Sequence, residues 1–104
     1  MAKIADEIEV KVGSDGLLVL RNHTDKEWNE FEAERYPVGK RNRMKDNSGP
    51  ARVKLFDKLL VRIENIEDGI GPITLETKDR LPGRIKSQII FDAFETGQDI
   101  DIKN

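Results

Sequence analysis

The sequence predicts an α+β domain, mainly helical, with an N-terminal β-hairpin followed by three to four helices. Three observations predict it. Residues 8 to 12, Ile-Glu-Val-Lys-Val, are apolar at every second position, and Leu17-Leu18-Val19-Leu20 follows a cluster of turn formers. Thr24-Asp25-Lys26-Glu27 is a capping box, the signature of a helix start. Val53, Phe56, Leu59, Leu60 and Ile63 recur at spacings of three and four, the stripe of an amphipathic helix. The chain has 104 residues, a length that makes one domain. Leu, Ile, Val and Phe supply 29 of those residues, enough for a modest core and too many for a disordered chain.

The elements follow in order. The hairpin spans 8–20 around Gly13-Ser14-Asp15-Gly16, with the first strand half-buried and the second covered on both faces. An isolated hairpin is marginal, so its apolar face needs a packing partner. The capping box opens a helix over 25–35 that places Trp28, Phe31 and Glu32 along one side, and Tyr36-Pro37 stops it. Residues 38–49 lack an apolar period, are bounded by glycines and read as a basic loop. Pro50 then sits in a first helical turn, and the stripe with Leu55 and Ile66 beside it predicts the main core helix over 50–66. Gly69 and Gly71-Pro72 terminate that helix. Thr74 caps a short helix over 75–81. Pro82 breaks it and opens a last helix over 82–96, with Ile85, Ile89, Ala93, Ile90 and Phe94 on one face and Phe91 flanking. Residues 97–104 form a polar tail.

The chemistry of the chain argues against catalysis. It has one His, no Cys and no Gly-x-Ser-x-Gly, which leaves no nucleophile-and-base set. The carboxylate pairs Glu30/Glu34 and Glu67/Asp68 carry little weight among 20 acidic residues. The glycines are scattered as turn signals and build no phosphate-cradling loop. Residues 92–101 lack the alternating oxygen ligands and closing Glu of a calcium loop. His23, placed between strand and cap, reads as a solvated or structural histidine. The expectation is a non-enzyme without metal or cofactor. No apolar run approaches the ~20 residues of a membrane span, and the start turns acidic without a signal-peptide core. A cytoplasmic location is therefore expected.

Charge is more informative. The formal net charge of −2 resolves into −5 over residues 1–34, +6 over 35–58 and −3 over 59–104. Lys40, Arg41, Arg43 and Lys45 form a candidate basic patch that can meet phosphates or acidic faces of a protein. Nucleic acid is the weaker reading: the basic loop holds no aromatic to stack a base, and overall acidity opposes approach. Trp28, Phe31 and Tyr36 are the candidate partner-binding residues, because Trp and Tyr serve as interface anchors. Core packing is the ordinary alternative for Trp28 and Phe31.

The order of these pieces is similar to a known family. Leu17-Leu18-Val19-Leu20-Arg21 followed by Thr24-Asp25-Lys26-Glu27-Trp28-Asn29-Glu30-Phe31 resembles the N-terminal part of tail assembly chaperones of long-tailed bacteriophages and prophages. Leu55-Phe56-Asp57-Lys58-Leu59-Leu60-Val61, Glu64-Asn65-Ile66-Glu67-Asp68-Gly69 and Pro72-Ile73-Thr74-Leu75-Glu76-Thr77-Lys78 look like their helix, acidic turn and Pro-Ile-Thr-x-Glu segment. A closing helix from Leu81 to Phe94 completes a likeness over residues 8–95. The basic 39–45 loop departs from the family pattern.

The resemblance implies a protein that binds the long apolar tape measure protein, keeps it soluble in the host cell cytoplasm and helps tail-tube subunits polymerise around it. It also implies absence from the finished tail, and a chain matching the short form of a product often extended by frameshift. The partners so implied are the tape measure protein and the tail tube subunit; association with further copies of the chain is a separate expectation. The rival readings are a virion structural protein, either a head–tail connector or a minor tail component, and a small nucleic-acid-binding regulator using the basic 40–45 loop.

Overall fold

A computed structural model describes residues 7–36 and 46–95. Strand β1 (Glu7–Val12) and strand β2 (Gly16–Arg21) form the expected hairpin, running antiparallel from Glu7↔Arg21 to Val12↔Gly16. Helix α1 (Asp25–Arg35) follows, then α2 (Ser48–Leu59), strand β3 (Leu60–Glu64), a 3-10 helix (Leu75–Arg80) and α3 (Gly83–Ile90). The chain widens into one π-turn at Phe91–Glu95. The fold is α+β and mainly helical, with β3 added antiparallel to β2 in a sheet of order β1-β2-β3.

The capping box expected at Thr24 forms. Thr24 Oγ1 accepts from Glu27 N–H at 3.1 Å, and Glu27 Oε1 accepts from Thr24 N–H at 2.9 Å. Arg21, at the end of β2, grips the same carboxylate from Nη1 at 2.7 Å and Nη2 at 2.6 Å. That fork joins hairpin to helix, and with the Thr24 amide it holds the Glu27 carboxyl down at about 2. At the 3-10 helix, Thr74 N–H donates to Thr77 Oγ1 at 2.8 Å.

The main correction concerns the helix expected over 50–66. It ends at Leu59, and Leu60 passes directly into β3. Leu18 pairs with Ile63, Val19 with Arg62, but Leu20 with Leu60, so Val61 is the extra residue of a β-bulge. The bulge puts Leu60 and Ile63 on one face of a strand at a spacing of three. That spacing imitates a helical stripe, which is why the sequence pattern reads as one continuous helix. Beyond β3 the chain turns sharply: Asp68 Oδ1 accepts the amides of Ile70 (2.8 Å) and Gly71 (3.1 Å), and Arg80 Nε donates to Asp68 Oδ2 at 2.9 Å.

Leu18, Leu20, Phe56, Leu59 and Ile90 are fully buried and form the centre of the core, with Phe31, Leu55, Leu60, Ile73, Leu81 and Ile89 around them. β2 is covered on both faces, as expected: Val19, on the face opposite the core, lies between Glu9 and Arg62. α1 runs antiparallel to α2, tied by Glu30–Lys58 (3.2 Å) and Glu34–Lys54 (2.8 Å). The last helix also departs from expectation. Ile85 lies exposed, while Lys86 is buried at 3% exposure with its Nζ donating to Asp57 Oδ1 at 2.8 Å. The expected regular helix over 82–96 gives way at Phe91 to the wider π-turn, which shifts the phase of the face. The basic residues 38–45 and the tail from 97 lie outside the described residues.

Candidate functional site

The three aromatic candidates separate by burial. Phe31 is only 3% exposed and belongs to the core, which corrects its assignment to a partner-binding surface. On an eleven-residue helix whose other positions are mostly charged, it is the one buried side chain. Trp28 is half-buried: its ring stacks on His23 at 4.7 Å and tilts against Phe31 at 5.0 Å, and Phe94 closes on His23 at 5.1 Å. His23 is thus one plate of an aromatic stack beneath the start of α1. Tyr36 remains an open candidate at 39% exposure.

Tyr36 stands at the edge of an ionic cluster. Glu95, buried in the π-turn with a side-chain exposure of 6%, receives Arg52 Nε at 2.6 Å and Arg52 Nη2 at 3.1 Å. Arg35 Nη1 reaches the same carboxylate at 3.0 Å, and Arg35 Nε donates to Ser48 Oγ at 3.4 Å. Donating to the Glu95 carboxylate raises the Arg52 pKa further above its ordinary value. Each guanidinium lies over an exposed ring: Arg35 5.2 Å from Tyr36 and Arg52 5.1 Å from Phe91. One carboxylate therefore holds two arginines, and each arginine carries an aromatic at the surface. Phe91 is exposed to the same degree as Tyr36 and adds a second anchor.

The candidate basic residues Lys40, Arg41, Arg43 and Lys45 lie outside the described residues, but the ends of that segment are pinned beside the cluster. Asn47 N–H donates to Arg35 O at 2.7 Å, and Asn47 Nδ2 donates to Glu34 O at 3.3 Å. Asp46 Oδ1 accepts from Ser48 N–H at 3.0 Å at the start of α2, and its hydrogen bonds with Ser48 lower its pKa.

Hollows adjoin both edges of the sheet. One of about 320 Å³ lies between β1 and the end of α3, lined by the β1 residues 8–11 and by Ile89, Asp92 and Ala93. Another, of about 480 Å³, lies beyond β3 among Asp15, Ile63, Asn65, Ile66, Pro72 and Ile73. The carboxylates weighed as catalytic pairs are engaged elsewhere: Glu30 and Glu34 with lysines of α2, Asp68 with Arg80. Among the described residues no group of three or more His, Cys, Asp or Glu is placed to hold a metal ion. No helix of these residues is long and apolar enough to cross a membrane.

No protein-family model, no curated protein and no solved structure matches the chain. The arrangement the sequence misses is the Arg35–Glu95–Arg52 cluster. Its members lie far apart along the chain and share no local spacing. Phe91, exposed at the start of the π-turn, reads in the sequence only as flanking the face of the last helix.

Proposed function

We propose that this chain is a phage tail assembly chaperone, a non-catalytic protein that binds the tape measure protein during tail morphogenesis. The observation that carries this reading is the pair of half-exposed rings, Tyr36 and Phe91, each held on an arginine by the shared carboxylate of Glu95. Aromatic rings pre-positioned on an ionic base bind apolar protein segments at low entropic cost. The motif order over residues 8–95 supplies the client.

Co-expression with the tape measure protein tests it. The client stays soluble with this chain, and the Tyr36→Ala/Phe91→Ala variant loses that effect while remaining folded. A tape measure equally insoluble with and without the chain sinks the reading. Stoichiometric presence of the chain in purified particles replaces it with a head–tail connector or minor tail component. Salt-sensitive retention of nucleic acid in a gel points instead to the regulator reading through residues 40–45.

A further inference from the structure

The outer edge of β1 is free among the described residues. The strand is six residues long, contains no proline, and keeps an unbroken register with β2. Such an edge presents a row of backbone donors and acceptors to another strand. Its sequence, Glu7-Ile8-Glu9-Val10-Lys11-Val12, puts Ile8, Val10 and Val12 on one face and Glu7, Glu9 and Lys11 on the other. Val12 is 37% exposed, and Ile8 and Val10 border the hollow against Ile89 and Ala93. Neither Glu9 nor Lys11 has an ion-pair partner among the described residues.

We propose that β1 pairs antiparallel with β1 of a second copy, in a register centred on Val10, joining two three-stranded sheets into one. Charge complementarity selects both occupant and register. Centring on Val10 sets Glu9 opposite the partner's Lys11 and Lys11 opposite the partner's Glu9. On the other face it sets Val10 against Val10 of the partner subunit and Ile8 against the partner's Val12, which covers the hollow. Centring on Glu9 or Lys11 instead places two like charges face to face, and shifting by one residue sets apolar against charged side chains. A six-residue edge buries less than a standard interface, so the dimer is weak and exchanges between roughly micromolar and roughly millimolar protein. The pairing does not rest on the client proposed above, because it is read on the isolated chain.

Sedimentation equilibrium over that concentration range tests it. The wild-type mass rises from monomer towards dimer. Lys11→Glu, which faces two like-charged pairs, weakens association by roughly tenfold or more, and the double swap Glu9→Lys/Lys11→Glu restores it. All three keep one melting temperature, since both side chains are exposed in the monomer. A wild-type chain that stays monomeric throughout, a dimer indifferent to Lys11→Glu, or a double swap no better than the single change each overturns the proposal.

Discussion

Lys86 Nζ donates to Asp57 Oδ1 at 2.8 Å, and the two partners sit in unequal surroundings: the lysine side chain is buried, while the aspartate reaches water. The Lys86 ammonium also lies over the Phe56 ring at 5.7 Å. The bond ties α3 to α2 at the edge of the core.

Removing the two partners therefore has unequal consequences. Asp57→Ala leaves an ammonium in the core without its counter-charge and costs about 3 kcal/mol. Lys86→Met fills the same space with an apolar chain and leaves a carboxylate that water can solvate, at a cost of about 1 kcal/mol or less. Urea denaturation of the two single variants measures the asymmetry; equal losses would show the pair acting as an ordinary surface bridge.

Acid should loosen the joint between hairpin and α1. The Glu27 carboxyl is held at about 2 in the fold, below its ordinary 4.5, chiefly by the hydrogen bond from Arg21. Asp68 is likewise lowered to about 2, chiefly by Arg80. Because both are depressed on folding, their stabilisation is complete above the unfolded values and is lost as pH falls from about 4.5 towards 2. Melting temperature followed from pH 7 downward should drop over that window. Glu27→Gln and Asp68→Asn should each flatten the drop, and their combination should flatten it most.

The limits of α1 are readable in the sequence because a capping box and a Tyr-Pro stop are short-range signals. The end of α2 is not readable, because a bulged strand and a helix both place apolar residues three apart. Lys86 is hidden for a different reason. A charged residue beside Ile85 reads as the solvent side of a helix until Asp57 of a distant element is brought to it. The Glu95 cluster and the register of β3 are likewise products of long-range contact. Local chemistry announces where elements begin, while partners remote in the chain decide which face is covered.

Aromatic substitutions should sort by burial. Phe31→Ala removes a core side chain and costs about 3–5 kcal/mol, seen as a lower urea midpoint. Tyr36→Ala, at the exposed end of α1, changes stability by about 0.5–1 kcal/mol, the scale of its contact with Arg35. If both lose stability equally, α1 is anchored at its end rather than through Phe31.

Two glycines should respond oppositely to alanine. A Cβ at Gly16 would lie 2.5 Å from Val12 O and 3.1 Å from Ile66 Cγ1, so the hairpin closure must open. Gly16→Ala should destabilise by about 1–3 kcal/mol. Gly49, in the first turn of α2, has open space where its Cβ would be. Gly49→Ala should stabilise by about 0.5–1 kcal/mol through a less flexible unfolded chain. Thermal melts of the two variants should shift in opposite directions.

The pairing of Leu20 with Leu60 joins strands separated by α1, the basic segment and α2. Every residue between them belongs to one closed loop, and the entropy of closing such a loop grows only with the logarithm of its length. Doubling that loop would cost about 0.6 kcal/mol. Asn47, bonded to the carbonyls of Arg35 and Glu34, brings the start of α2 back against the end of α1 and so shortens the span that closes it. The strand pairing is thus set by its two ends and depends only weakly on how much chain lies between them.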